Sequence, residues 1–218
     1  MTLFKAGAVS VKVCGVTTAE QAHQIAGLGA DAIGLNFYPG SKRFLNVELA
    51  RQWASSLRER ITVVGVFVNP SDEELRAVTG HGLVDVIQLH GDESPQRVDE
   101  VKKLGLPVIK AIQVKDAGAL DQISKFEVDA VLLDSYNPIH YGGEGRTFPW
   151  ELAVQARARF PQVSFMLAGG LTPENVADAV TGTGVGAVDV ASGVESSPGV
   201  KDLTKVEAFI MAAKAERR

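Results

Sequence analysis

The chain holds one cysteine, two tryptophans and only 6% aromatic residues among its 218 positions. A lone cysteine excludes an intramolecular disulfide and any multi-cysteine metal site, so whatever Cys14 does it does as a thiol. Positive charge is scarce too: 22 Lys and Arg against 26 Asp and Glu leave a formal charge of −4, without the basic field that nucleic-acid binding usually requires. No apolar run approaches a membrane span, and Met1 to Gly7 lacks a basic segment followed by an apolar stretch. The expectation is a soluble cytoplasmic protein with neither nucleic acid nor membrane as partner. No low-complexity tract, linker or charge block divides the chain, so residues 1–218 read as one domain.

What is present is alternation. Runs rich in Val and Ile recur from end to end, separated by amphipathic stretches, which is the pattern of parallel βα units rather than hairpins. Eight of each are expected, with strands near Val9 to Val16, Ala32 to Tyr38, Thr62 to Asn69, Val84 to His90, Pro107 to Val114, Asp129 to Asp134, Val163 to Ala168 and Val185 to Ala191. Between them apolar positions recur at three and four, as in Ala22, Ile25, Ala26 and Gly29, or Leu203, Val206, Ile210 and Ala213. Helix starts are marked by Ser71-Asp72-Glu73-Glu74, Ser94-Pro95 and Thr172-Pro173-Glu174-Asn175. This spacing predicts a closed (β/α)8 TIM barrel. A doubly wound open sheet is the alternative, and an even eight without a GxGxxG after the first strand favours closure. Two intervals are longer than the rest, at Tyr38 to Phe44 and Tyr136 to Pro149. Both follow C-terminal strand ends, where a barrel builds its active site.

Chemistry-bearing residues cluster at those ends. Gly169-Gly170 and Ser192-Gly193 follow strands seven and eight, where glycines let backbone amides approach a phosphate; tight βα turns are the plainer explanation. Gly143 and Gly145 lie in the loop after strand six, as a further phosphate wall or lid or as an ordinary flexible loop. Cys14 closes the first strand, with Lys12 on the same face; a lone cysteine is ordinarily a small buried hydrophobe, but at a strand end beside a cation the thiol can serve as base. Asp134 closes the sixth strand, where a carboxyl group suits a general acid or caps a turn. Arg43, in the insertion after strand two, is either a solvated charge or a planar fork for a carboxylate. Gln88 and His90 share one face of strand four, as substrate contacts or as a satisfied core pair. Asp189, in an apolar strand, either pairs with Lys12 or accepts from a ligand hydroxyl. His23, His81, His90 and His140 lack metal-ligand spacing, and nothing positions Lys110 as a Schiff-base nucleophile.

Taken in order, Lys12-Val13-Cys14-Gly15, Phe37 to Arg43, Val64 to Asn69, Gln88-Leu89-His90-Gly91, Leu132 to Ser135, Gly142 to Gly145, Ala168 to Leu171 and Val188 to Val194 resemble phosphoribosylanthranilate isomerase of tryptophan biosynthesis over nearly the whole chain. The departures are slight: Ala168 and Ala191 stand where that family often has serine, and Asn36 where it usually has an apolar residue. The resemblance implies a cofactor-free, metal-free Amadori rearrangement of a small phosphorylated substrate. It assigns the general base to Cys14, the general acid to Asp134, the anthranilate-carboxylate contact to Arg43 and phosphate binding to the C-terminal glycine loops. It also implies functional association with other tryptophan-pathway enzymes. A histidine-pathway phosphoribosyl aminoimidazole isomerase would use two aspartates where this chain has Cys14 and Asp134, and a noncatalytic phosphate-binding barrel would not need either residue.

Overall fold

The computed structural model describes residues 8–135 and 148–215. Eight parallel strands pair in sequence order and close: β1 (Ser10–Cys14), β2 (Ala32–Asn36), β3 (Thr62–Phe67), β4 (Val86–Leu89), β5 (Val108–Val114), β6 (Ala130–Ser135), β7 (Phe165–Leu167) and β8 (Ala187–Val190). Closure is made by β1 against β8, with Lys12 opposite Asp189 in register. That pairing removes the open-sheet alternative. Each strand lies under helices on one side and the barrel interior on the other, which is why near-continuous apolar runs are needed.

The interior is filled by Val64, Val86, Ile109, Leu132, Met166 and neighbours. The larger apolar cluster lies between the outer strand faces and the helices. At the N-terminal ends the strands leave amides without ladder partners, and three aspartates meet them in the same way. Asp31, Asp85 and Asp129 each stand just before an even-numbered strand. Each accepts at Oδ2 from the amide of the preceding strand's Val11, Val63 or Val108, at 2.8 to 2.9 Å, and returns its own amide to that valine's carbonyl. These clamps satisfy backbone groups on the face opposite the site.

The helices are α1 (Ala19–Gly27), α2 (Val47–Arg51), α3 (Ala54–Leu57), α4 (Asp72–Thr79), α5 (Pro95–Lys102), α6 (Trp150–Arg159), α7 (Val176–Thr183) and α8 (Leu203–Ala215). Ser71 and Glu74 form a reciprocal capping box, and Ser94 caps α5 with Pro95 in its first turn. Three expectations are corrected. The crossover after β2 is split into α2 and α3. The one after β5 is a 3-10 helix, Ala117–Lys125, whose apolar Leu120 and Ile123 recur at three, the spacing that a three-residue turn stacks on one side. Third, α7 starts at Val176 rather than at Thr172, because Thr172 to Asn175 makes a separate turn: the carbonyl of Thr172 accepts from Asn175 and Val176.

A short antiparallel hairpin that the periodicity did not suggest follows β8: β9 (Glu195–Ser197) and β10 (Val200–Lys201).

Candidate active site

At the C-terminal ends of the strands lies a cavity of about 500 Å³. Its walls include Cys14, Arg43, His90, Asp134, Asp189 and the glycine loops after β7 and β8. Alternation explains the convergence. Ser10, Lys12 and Cys14 share the inward face of β1, so a residue type unusual for a core strand ends at the mouth of the barrel.

Cys14 is buried and free of any disulfide. Its thiol fits because β2 carries Gly34 beside it. A Cβ added at Gly34 would meet Cys14 Sγ at 2.7 Å and Lys12 Cε at 3.2 Å. Burial pushes the thiol above its usual range and Asp189 adds to the rise, while Lys12 and Lys201 pull the other way without overcoming it.

Beneath it, Lys12 Nζ donates to Asp189 Oδ1 at 2.8 Å, with the Lys12 side chain 1% exposed. Burial opposes the Lys12 charge, but Asp189 and Cys14 outweigh it and hold the ammonium above its ordinary value. Asp189 also borders the cavity. The ion-pair and ligand-contact readings of this residue are therefore compatible.

Asp134 sits on β6, buried. Its Oδ1 accepts from the Ser135 amide at 2.8 Å, and its Oδ2 lies 3.2 Å from His90 Nε2. Behind His90, the Gln88 amide nitrogen is 2.9 Å from Nδ1. Both imidazole nitrogens are thus engaged, Nδ1 by the Gln88 amide and Nε2 by Asp134. Gln88 is fully buried and stands outside the cavity wall; it reaches the site only through His90.

The two glycine loops pack against one another. Gly169 has φ +83, and a Cβ at Gly193 would lie 1.9 Å from the Leu171 carbonyl oxygen. Among the described residues nothing accepts from the amides of Gly170, Ser192 or Gly193. Asn175 shapes the first loop, accepting from the Thr172 amide at 2.8 Å and donating to the Gly170 carbonyl at 2.9 Å. Gly143 and Gly145 lie outside the described residues.

Arg43 is at the mouth, and its fork is already engaged. Nε and Nη2 donate to Glu195 Oε1 and Oε2, each at 2.7 Å. Lys201 Nζ donates to the same Oε1 at 2.7 Å and to the Ala191 carbonyl at 3.1 Å. The Glu195 bond holds the guanidinium above its usual value. Burial acts on Glu195 in the opposite direction to its two cations, which win and hold the carboxyl below its ordinary range. Burial lowers Lys201 despite Glu195. Glu195 and Lys201 escaped the sequence reading. The signal was Ser197-Pro198-Gly199, a turn between two short strands, which brings a glutamate and a lysine side by side. Among the described residues no cluster of His, Cys, Asp or Glu is arranged to hold a metal, and no helix is long and apolar enough to cross a membrane.

Comparison with known proteins agrees with this geometry. A family model described as N-(5'phosphoribosyl)anthranilate (PRA) isomerase matches residues 11–212. The N-(5'-phosphoribosyl)anthranilate isomerase of Ruegeria sp. (strain TM1040) is 44% identical over 213 residues, covering 95% of this chain and 98% of that protein. The phosphoribosyl anthranilate isomerase crystal structure from Thermotoga maritima superposes with a TM-score of 0.85 at 38% identity, covering 94% of this chain and 98% of that one. A structure of such an isomerase in complex with reduced 1-(o-carboxyphenylamino)-1-deoxyribulose 5-phosphate has a TM-score of 0.82 at 36% identity, with the same coverage. The chain belongs to the N-(5'-phosphoribosyl)anthranilate isomerase family.

Proposed function

We propose a division of labour among these residues for the isomerisation of N-(5'-phosphoribosyl)anthranilate, the step of tryptophan biosynthesis that this chain catalyses as a member of its family. Asp134 is the general acid and Cys14 the general base. The observation that carries this reading is that both side chains open into one cavity from the ends of β6 and β1, the layout of acid and base in a barrel enzyme.

Asp134 delivers a proton to the furanose ring oxygen. The C1–O bond breaks as the substrate nitrogen's lone pair forms a C1=N iminium. His90, held by Gln88, keeps the carboxyl aimed, and an N–H at its Nε2 stabilises the carboxylate that the transfer leaves on Asp134. Cys14 then removes the C2 proton, and the C–H electrons become the C1=C2 bond of an enolamine, neutralising the nitrogen. Protonation at C1 and loss of the C2 hydroxyl proton give the ketone. No electrons leave the substrate.

Cys14 acts in this step as the thiolate: burial works against that form, while Lys12 and the positive charge of the adjacent iminium favour it. The amides of Gly170, Ser192 and Gly193 hold the phosphate, Arg43 holds the anthranilate carboxylate, and Asp189, already fixed by Lys12, accepts from a sugar hydroxyl. The need to keep Cys14 reduced supports residence in the cytoplasm.

The test is direct. Purified protein given the aminoaldose should consume it, seen as loss of anthranilate fluorescence. A folded chain that binds the phosphorylated product without turning over substrate would instead be a noncatalytic ligand-binding barrel.

A further inference from the structure

A guanidinium has five N–H donors in a plane. Two of them, on Nε and Nη2, are spent on Glu195. What remains is the other edge, both hydrogens of Nη1 and the second of Nη2, for which no acceptor exists among the described residues. Arg43 lines the cavity, and its side chain is 13% exposed against 5% for Glu195.

We propose that Glu195 is a positioning residue that occupies the Nε–Nη2 edge of Arg43 and thereby presents the Nη1–Nη2 edge to the substrate's carboxylate. This rests on the reading of Arg43 as the carboxylate anchor.

Three features support it. The first is charge. Glu195 alone would neutralise Arg43 and place a second carboxylate where an anion must bind. Lys201, fully buried and 2.7 Å away, makes the trio two cations and one anion, so one positive charge remains for one carboxylate.

The second is place. Arg43 comes from the segment after β2 and Glu195 from β9, after β8; these strands flank β1 in the barrel. The ion pair therefore bridges the end of the strand that carries Cys14. A Cβ on Gly15 would strike Arg43 Cδ at 2.3 Å, so the arginine stem lies across the residue that follows the base. An anchor fixed there holds the anthranilate end of the substrate beside β1, and with it the sugar carbons attached through its nitrogen, on the side of the barrel that carries the thiol.

The third is rigidity. Glu195 is itself held by Lys201, by the Gly199 amide at 3.2 Å and by the hairpin, which Thr17 ties down through the Gly199 carbonyl at 2.9 Å. An arginine immobilised before binding loses less freedom when the ligand arrives.

The experiment is a four-protein cycle of wild type, Arg43→Met, Glu195→Gln and the double variant, with KM and kcat read from anthranilate fluorescence and folding checked by thermal melting. Glu195→Gln should raise KM by about tenfold or more, the loss of a well-made charge-assisted contact, with kcat within about twofold. The double variant should be no worse than Arg43→Met alone, because the two residues act through one contact. An unchanged or lowered KM in Glu195→Gln overturns the proposal, since removing a negative charge near an anion site would otherwise help binding. Additive effects overturn it as well. If Arg43→Met itself leaves KM unchanged, the anchor reading has failed instead. Should Glu195→Gln not fold, Glu195→Asp runs the same cycle with an expected rise of about threefold, and an unchanged KM there is equally fatal.

Discussion

The substitution Gly193→Ala isolates the contribution of the paired glycine loops. A Cβ at this position would sit 1.9 Å from the Leu171 carbonyl oxygen and 3.0 Å from its carbon, with the Thr172 Cα at 3.3 Å. All of these are backbone atoms, so no side-chain rotation relieves the contact. Restoring even a 3.0 Å separation requires the loop after β8 to move away from the loop after β7 by about 1 Å. Misplacement of that size in a substrate-positioning element costs about 10²-fold in kcat/KM. Because the phosphate is remote from the reacting carbons, most of the loss should appear in KM. The overpacking should also cost about 1–3 kcal/mol of stability, or roughly 2 to 12 °C in Tm for a chain of this size. Gly182→Ala is the internal control: Gly182 lies inside α7 with nothing within 4 Å of the added Cβ, so helix propensity alone should stabilise it by about 0.5–1 kcal/mol. Steady-state kinetics by anthranilate fluorescence and a thermal melt of each variant decide the matter. If Gly193→Ala keeps a wild-type KM for substrate, the glycine loops do not hold the phosphate.

Further expectations concern the reacting groups and the ion pairs. Cys14→Ala and Asp134→Asn should each reduce kcat by about 10²-fold or more while still binding product, measured by titration; near-wild-type turnover in either removes that residue from the mechanism. Because burial holds the Cys14 thiol above its usual range, the base-dependent limb of the kcat/KM profile should lie on the alkaline side of an ordinary thiol and vanish in Cys14→Ala. Lys12→Met leaves Asp189 without its partner in the barrel interior and should destabilise the fold by about 3–5 kcal/mol in urea titration; a loss below about 1 kcal/mol would mean that the pair is far better solvated than its burial indicates. Glu195 is held below its ordinary value by Arg43 and Lys201, so its stabilising contribution is present above the unfolded carboxyl value and is lost as pH falls through the folded one. Melting temperatures of wild type and Glu195→Gln should therefore converge as the buffer is taken below about pH 4.5.

The alternation of apolar runs with amphipathic stretches was enough to set the eight strands and the fold class, because parallel strands buried on both faces need continuous Val and Ile and leave a period that survives in one dimension. Cys14 and Asp134 were legible for the same reason: each ends such a run, and in a barrel every strand end opens onto the same face. The 3-10 crossover at Ala117–Lys125 was less so, since apolar residues at intervals of three fit either helix over one or two turns. What the linear pattern could not decide were pairings across the ring. Lys12 and Asp189 are 177 residues apart and meet because β1 closes on β8 in that register; alternation had put the lysine on the inward face without saying which of its two possible roles Asp189 would take. Arg43 and Glu195 are 152 residues apart, and the glutamate lies in a hairpin too short to produce a period. Their meeting depends on the closure of the barrel, which brings the segments after β2 and β8 to either side of β1. A charge's partner is a property of distance in space, and only the closed fold converts residues far apart in sequence into a site whose charges and hydrogen-bond edges are already arranged.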